Sequence, residues 1–194
     1  MRIIGGELGG RRLVTPSGPS TRPSAARVRE GLASALDARG CLREANVLDL
    51  FAGSGALGFE ALSRGARHVV CVDANPRAIR CIADNARALG VSDRVRAIRL
   101  DLQGAAAKVA SRLTDAGAPF SLAFVDAPYA QVDSVPPLLE RLVADTVLGR
   151  GALVAVEQAA KANLAWPEVL RLLATYRYGD TGVSLLQVAS RGRT

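Results

Sequence analysis

The residues with the most evident chemical use close the apolar run "SLAFV", which leads into Asp126-Ala127-Pro128-Tyr129. An exocyclic amine on a nucleobase is a poor nucleophile, because its lone pair is delocalised into the ring. Two acceptors that hold its two hydrogens favour a pyramidal nitrogen with the lone pair aimed at an electrophile. The Asp126 carboxylate and the Ala127 backbone carbonyl could be those acceptors. Pro128 fixes its own φ and biases Ala127 towards an extended conformation. Tyr129 offers a flat face to a base, as aromatic side chains do in single-nucleotide recognition. Holding two reactants in line is worth up to roughly 7–11 kcal/mol, so this chemistry asks for no metal and no nucleophilic side chain.

Three more acids stand at comparable points. "VLDLFAGSGALGFEAL" carries Gly53-x-Gly55-x-x-Gly58 between an apolar run and a helical pattern, and Asp73 closes the next apolar run, twenty residues beyond Gly53. This is the layout of a nucleoside fingerprint: glycines admit close backbone approach and the later acid takes ribose hydroxyls. NAD and S-adenosylmethionine both fit it. Asp49, four residues before Gly53, would repel a pyrophosphate but suit the zwitterionic end of the methyl donor. Asp101 ends a third run, "AIRLDLQG", where it could accept from an adenine amine with Leu102 packed on the ring, or merely cap the next helix. Phe51 and Ala74, beside these acids, complete the expected cofactor-binding set.

Such acids need elements that bring them together. From residue 46 apolar runs alternate with helical stretches: "NVLDLFAG", "HVVCVDA", "RVRAIRLD", "SLAFVDAP" and "GALVAVEQ" read as strands. Between them "GALGFEALSRG", "NPRAIRCIADNARALG" and stretches near 103–115 and 134–148 read as helices. Alternation of this kind predicts parallel βαβ units in an open sheet covered on both faces. The C-terminal strand ends then line the ligand crevice. Asp49, Asp73, Asp101 and Asp126 fall at the ends of four successive strands. "VLRLLATYRYGDTGVSLLQVAS" closes the chain as two strands joined by "GDTG", an antiparallel hairpin.

Residues 1–45 differ, and the chain divides into this extension and a nucleoside-binding domain over 46–194. Glycine and proline confine "GGELGGRRLVTPSGPSTRPS" to a short hairpin and loop. "AARVREGLASALDA" reads as an amphipathic helix, with Ser24 as N-cap and Val28, Leu32 and Leu36 on one face. The net charge is +7 and only Lys108 and Lys161 are lysines, so the cation is arginine, which suits bidentate phosphate contacts. Arg2, Arg11, Arg12, Arg22, Arg27 and Arg29 are the candidates for nucleic-acid contact; Arg22, Arg27 and Arg29 could instead take a ligand carboxylate, and solvated surface charge is the alternative. No apolar run approaches the roughly 20 residues of a membrane span, and the N-terminus does not read as a signal peptide. Cys41, Cys71 and Cys81 lack metal-type spacing and are expected as reduced thiols in the cytoplasm. His68 reads as a strand-edge residue, Cys71 and Cys81 as core, Trp166 as packing a helix start and Glu157 as capping a loop.

"DAPY" resembles the Asp/Asn-Pro-Pro-Tyr/Phe motif of amino-directed nucleic-acid methyltransferases. With "DLFAGSGALGFEALSRGA", "RPSAARVREGL" and the late "YGDT", residues 2–190 resemble one bacterial family, the 16S rRNA guanine-N2 methyltransferases acting on the guanine conventionally numbered 966. The resemblance implies a Rossmann-like α/β fold of class I methyltransferases: seven strands, mostly parallel, the last antiparallel, plus an N-terminal hairpin and helix that contact RNA. It implies S-adenosylmethionine as donor, held by Asp49, Gly53, Gly55, Asp73 and Asp101, with Asp126 to Tyr129 on the target base. The partner it implies is 16S rRNA in an assembling small ribosomal subunit, with a monomer as the default state. Ala127 replaces the first proline of the motif, which keeps the carbonyl but lowers rigidity, and "RPSAARVREGLASAL" lacks residues often found in that helix. Other readings are another amino-directed RNA or DNA methyltransferase, an NAD-dependent oxidoreductase, and an RNA-binding protein without catalysis.

Overall fold

Strand segments that are apolar on both faces are satisfied only in the middle layer of a stack, and the chain puts them there. The structure is a computed structural model and describes residues 1–16 and 23–189. In chain order the elements are α1 (Pro23–Asp37), β1 (Asn46–Leu50), α2 (Ala56–Ser63), β2 (His68–Asp73), α3 (Pro76–Leu89), β3 (Val95–Arg99), α4 (Ala106–Thr114), β4 (Phe120–Val125), α5 (Val135–Ala144), β5 (Leu148–Ala159), β6 (Leu170–Tyr178) and β7 (Thr181–Val188). The strands form one sheet in the order β3-β2-β1-β4-β5-β7-β6. β1 to β5 pair in parallel, and β7 lies antiparallel between β5 and β6. The expected seven-stranded sheet with an antiparallel last strand is present, and the last strand inserts rather than forming the edge.

Two apolar layers flank the sheet. One joins α4 and α5 to residues such as Leu48, Leu50, Val125 and Val156. The other joins α1, α2, α3 and the N-terminal arm to Val47, Phe124 and Ala155. α3 shows how the sequence specifies its element. Asn75 accepts from the Arg77 N–H at 2.9 Å, Pro76 opens the first turn, and Gly90 closes the helix at φ 75°. Its buried positions, Ala78, Cys81, Ile82, Asn85, Ala86 and Leu89, recur at helical spacing.

Several boundaries depart from the sequence reading. Among the described residues the arm forms no strands: Arg2 and Arg12 make a single antiparallel bridge, flanked by bonds such as Ile3 N to Arg11 O at 3.0 Å. Two glycine pairs in the intervening turn leave too little side chain to sustain a ladder. α1 begins at Pro23, so Ser24 lies in its first turn rather than capping it. Its expected face is correct, with Val28, Leu32 and Leu36 all buried. β3 stops at Arg99, two residues before Asp101, and β5 runs from Leu148, longer than expected. No helix follows Trp166, which leads into the turn before β6 and packs half-buried on the α4–α5 side of the sheet. His68 is exposed at the start of β2, and Cys71 and Cys81 are buried, as expected.

Candidate active site

The loop after β1 is built from the inside out by hydrogen bonds to two carboxylates. Asp73, the last residue of β2, accepts from Gly53 N with one oxygen and from Asn75 N with the other, both at 2.8 Å. Asp49, buried to 1 % exposure, accepts from Gly58 N at 3.0 Å at the start of α2. A Cβ on Gly58 would lie 2.7 Å from Val69 Cγ1 and 3.2 Å from Asp49 Oδ2, so a side chain there would push the helix off the sheet. Phe51 is held at φ 59°, a left-handed conformation uncommon for any residue but glycine. Burial, partly offset by the Gly58 N–H, pushes Asp49 up to about 8, and the neighbouring Asp126 and Asp73 charges add to the rise.

The C-terminal strand ends open onto a cleft of two lobes that share Phe51 and Asp126. The smaller, of about 200 Å³, is lined by Asp73, Ala74, Asn75, Asp101, Leu102, Pro128 and Gln131 among others. The larger, of about 390 Å³, is lined by Asp49, Gly53, Ser54, Leu57 and Glu157, with Met1, Thr15, Pro16 and Arg29 brought in by the N-terminal region. Two larger hollows, of about 460 and 590 Å³, lie at the opposite strand ends, among Asn46, His68 and Val95 or Ala45, Ser121 and Gly151. They hold none of the candidate residues, and in open parallel sheets ligands bind at the C-terminal ends.

The cleft thus gathers Asp49, Phe51, Gly53, Asp73, Ala74, Asp101, Leu102, Asp126 and Pro128. Three candidates stand apart from its lining. Gly55 is buried, at φ 77°, as the N-cap of α2. Ala127 is buried behind the turn. Tyr129 is 55 % exposed at the start of a 3-10 turn, Tyr129–Ser134, that runs into α5. Asp101 caps neither strand nor helix: its side chain accepts from Gln103 N at 3.0 Å in a turn, and α4 starts only at Ala106. Of the arginines, Arg2, Arg11, Arg12 and Arg27 are exposed, and Arg22 lies outside the described residues. Arg29 is buried at 7 % exposure and lines the larger lobe. Burial lowers its pKa, against the charges of Glu60 and Glu157.

Sequence pattern alone does not single out Glu60 or Asn85, and it reads Glu157 as a loop cap. Glu60, 2 % exposed, accepts from Ile4 N and Gly5 N and pairs with Arg64 at 2.9 Å. Asn85, 1 % exposed, exchanges bonds with Val14 N and O and donates to Ser54 O. Both fasten the arm, whose ends reach the larger lobe; an acid inside the apolar "GFEAL" is the available signal for Glu60. Glu157 belongs to the larger lobe rather than to a loop cap, since β5 continues to Ala159. Among the described residues no group of three or more His, Cys, Asp or Glu could hold a metal, and no helix is long and apolar enough to cross a membrane.

A seven-stranded sheet with one antiparallel strand next to its edge, and acids at the ends of β1, β2 and β4, is the Rossmann-like methyltransferase architecture. The solved structure of yhhF from Escherichia coli, described as a proposed methyltransferase, superposes with a TM-score of 0.82 over 97 % of this chain and 98 % of that one, at 29 % identity. An RNA methyltransferase from Salinibacter ruber, solved with S-adenosylhomocysteine, shares the fold at 16 % identity and a TM-score of 0.60, over 90 % of this chain and 96 % of that one. The family described as "Conserved hypothetical protein 95" matches residues 1–187, and the chain belongs to it. Its relatives include YlbH of Bacillus subtilis, named as a proposed rRNA methyltransferase, 33 % identical over 95 % of this chain and 97 % of that protein. Ribosomal RNA small subunit methyltransferase D of Escherichia coli K12 is 36 % identical over 66 % of this chain and 60 % of its own length.

Proposed function

We propose that this protein methylates the exocyclic N2 amine of a guanine in 16S rRNA, the position conventionally numbered 966, with S-adenosylmethionine as donor. It acts in the cytoplasm as a monomer on an assembling small ribosomal subunit. The observation that carries the reading is Asp126, which lines both lobes of the cleft at once. A group that must hold an acceptor base beside a nucleoside-bound donor needs that position. The names of the relatives support rRNA as substrate, and the small-subunit name of one supports the particular rRNA.

The residues present fit the donor. Asp73 keeps lone pairs for ribose hydroxyls while its backbone bonds fix its orientation. Asp101 and Leu102 suit an adenine edge and face in the smaller lobe, and Asp49 suits an ammonium beside the glycine loop. Bound there, S-adenosylmethionine supplies an electrophilic methyl group on a sulfonium. Asp126 and the Ala127 carbonyl hold the two amine hydrogens, so the nitrogen lone pair is directed rather than delocalised. Pro128, at φ −52° and ψ 142°, stiffens the turn, and Tyr129 is exposed for stacking on the purine. An amine that has accepted a methyl group is strongly acidic and loses its proton readily, so no histidine base is required.

Transfer of tritium from labelled donor to ribosomal RNA lacking this modification, followed by nucleoside analysis, tests the assignment. The expected product is N2-methylguanosine. A labelled adenosine or cytidine, or no transfer with folded protein, would refute it.

A further inference from the structure

Guanine differs from the other amino-bearing bases in what stands next to the amine. Beside N2 it carries the donor N1–H, whereas the ring nitrogen beside the amine of adenine or cytosine is an acceptor. A site that extracts a base and reads its Watson–Crick edge can use that difference. It needs a second acceptor adjacent to the one that holds N2.

β4 and β5 supply such a pair of positions. Val125 and Val156 are partners in the parallel ladder, so Asp126 and Glu157 follow them side by side on strands about 4.8 Å apart. Alternation turns both positions to the same face of the sheet, the face that carries α1 and the arm. Both residues line the larger lobe, and the buried Arg29 reaches it from α1 and interacts electrostatically with Glu157.

Resting on the proposed guanine-N2 reaction, we infer that Glu157 is the specificity-determining residue that accepts the N1–H of the target guanine. Against adenine or cytosine the same carboxylate opposes a lone pair with a lone pair, so it rejects as well as selects. Asp126 touches the reacting nitrogen; Glu157 sets which base can present one.

The test replaces the target guanine in an rRNA fragment with 2-aminopurine, which keeps the exocyclic amine but has an acceptor at N1. For the wild-type protein kcat/KM should fall about 100-fold or more, the loss expected when a site built for an N–H meets an analogue without it. Glu157→Gln can turn its amide N–H towards that acceptor, so its preference for guanine over 2-aminopurine should shrink at least about tenfold. An unchanged preference in Glu157→Gln, or equal use of both bases by the wild type, overturns the inference. Calorimetry with S-adenosylhomocysteine is the control: equal affinity in wild type and variant is expected, and a clear loss would assign Glu157 to the donor and overturn it too. The wild-type comparison stands even if the variant does not fold. Guanine methylated no better than 2-aminopurine removes this inference alone; no N2-methylguanosine at all removes the proposed function and this inference with it.

Discussion

Asp49 is an acid at 1 % exposure that accepts a hydrogen bond from Gly58 N, and its pKa is pushed up to about 8 by that burial. The native state therefore binds a proton more tightly than the unfolded chain, where the ordinary value is 3.8. Stability of the ligand-free protein should fall as pH rises through the window between those values, by up to about 1.4 kcal/mol per pH unit, and level off above it. Asp49→Asn keeps an acceptor for Gly58 and cannot ionise, so its stability advantage over wild type should grow from pH 5 to pH 8. Urea unfolding at four pH values measures this, and parallel profiles would show that Asp49 is solvated. Asp126 makes the complementary case for function. Asp126→Ala should lower methyl transfer by about 100-fold or more while leaving rRNA affinity within about twofold, because one acceptor among many contacts is lost. Filter binding beside tritium transfer separates the two, and a matching loss of affinity would make Asp126 an RNA-binding rather than a catalytic residue.

The elements show which parts of this arrangement local sequence could announce. The strands of the sheet, the glycine loop and the capped α3 are specified within a dozen residues each, by apolar runs, Gly53-x-Gly55 and Asn75-Pro76, and they form in the expected order, with only the ends of β3 and β5 displaced. Asp101 stands in a turn two residues beyond β3, whereas Asp49, Asp73 and Asp126 were legible at their strand ends for the same reason. Glu60, Asn85 and Glu157 were not, because what gives each its role lies far along the chain. Glu60 accepts from Ile4 and Gly5, Asn85 from Val14, and Glu157 depends on the β4–β5 register. Arg27 and Arg29 look alike in sequence, and only the docking of α1 makes one exposed and the other part of the cleft. The arm itself, with little ladder of its own, is held by these distant side chains. Glu60→Ala removes the acceptor of two backbone N–H groups, each costing about 1–3 kcal/mol if left buried and unpaired, and leaves Arg64 with Asp37 alone. A destabilisation of about 2–4 kcal/mol in urea, with faster tryptic cleavage at Arg11 and Arg12, is the expected result. Unaltered cleavage would mean that the arm is held by its apolar residues alone.

For the molecule as a whole, the net charge of +7 matters through where the arginines stand. Arg2 and Arg12 face each other across the bridge of the arm, and Arg11 donates to Ala88 O at 2.7 Å, tying the arm's charge to the end of α3. These side chains are exposed on the arm whose two ends, Met1 and Thr15-Pro16, line the larger lobe. An RNA strand that presents a base to the larger lobe would pass them, and each phosphate neutralised releases counterions. The logarithm of rRNA affinity should then fall linearly with the logarithm of salt concentration, by about 0.7–0.9 per phosphate contact. Arg2→Ala with Arg12→Ala should reduce that slope by about one to two and weaken unrelated RNA of the same length equally, since phosphate contacts carry no sequence information. Arg29→Ala should leave the slope unchanged, because a guanidinium sealed in the cleft has no counterions to release. A slope that responds to Arg29 and ignores the arm would put the RNA backbone inside the cleft, and the division between a charged arm that docks RNA and a cleft that reads one base would fail.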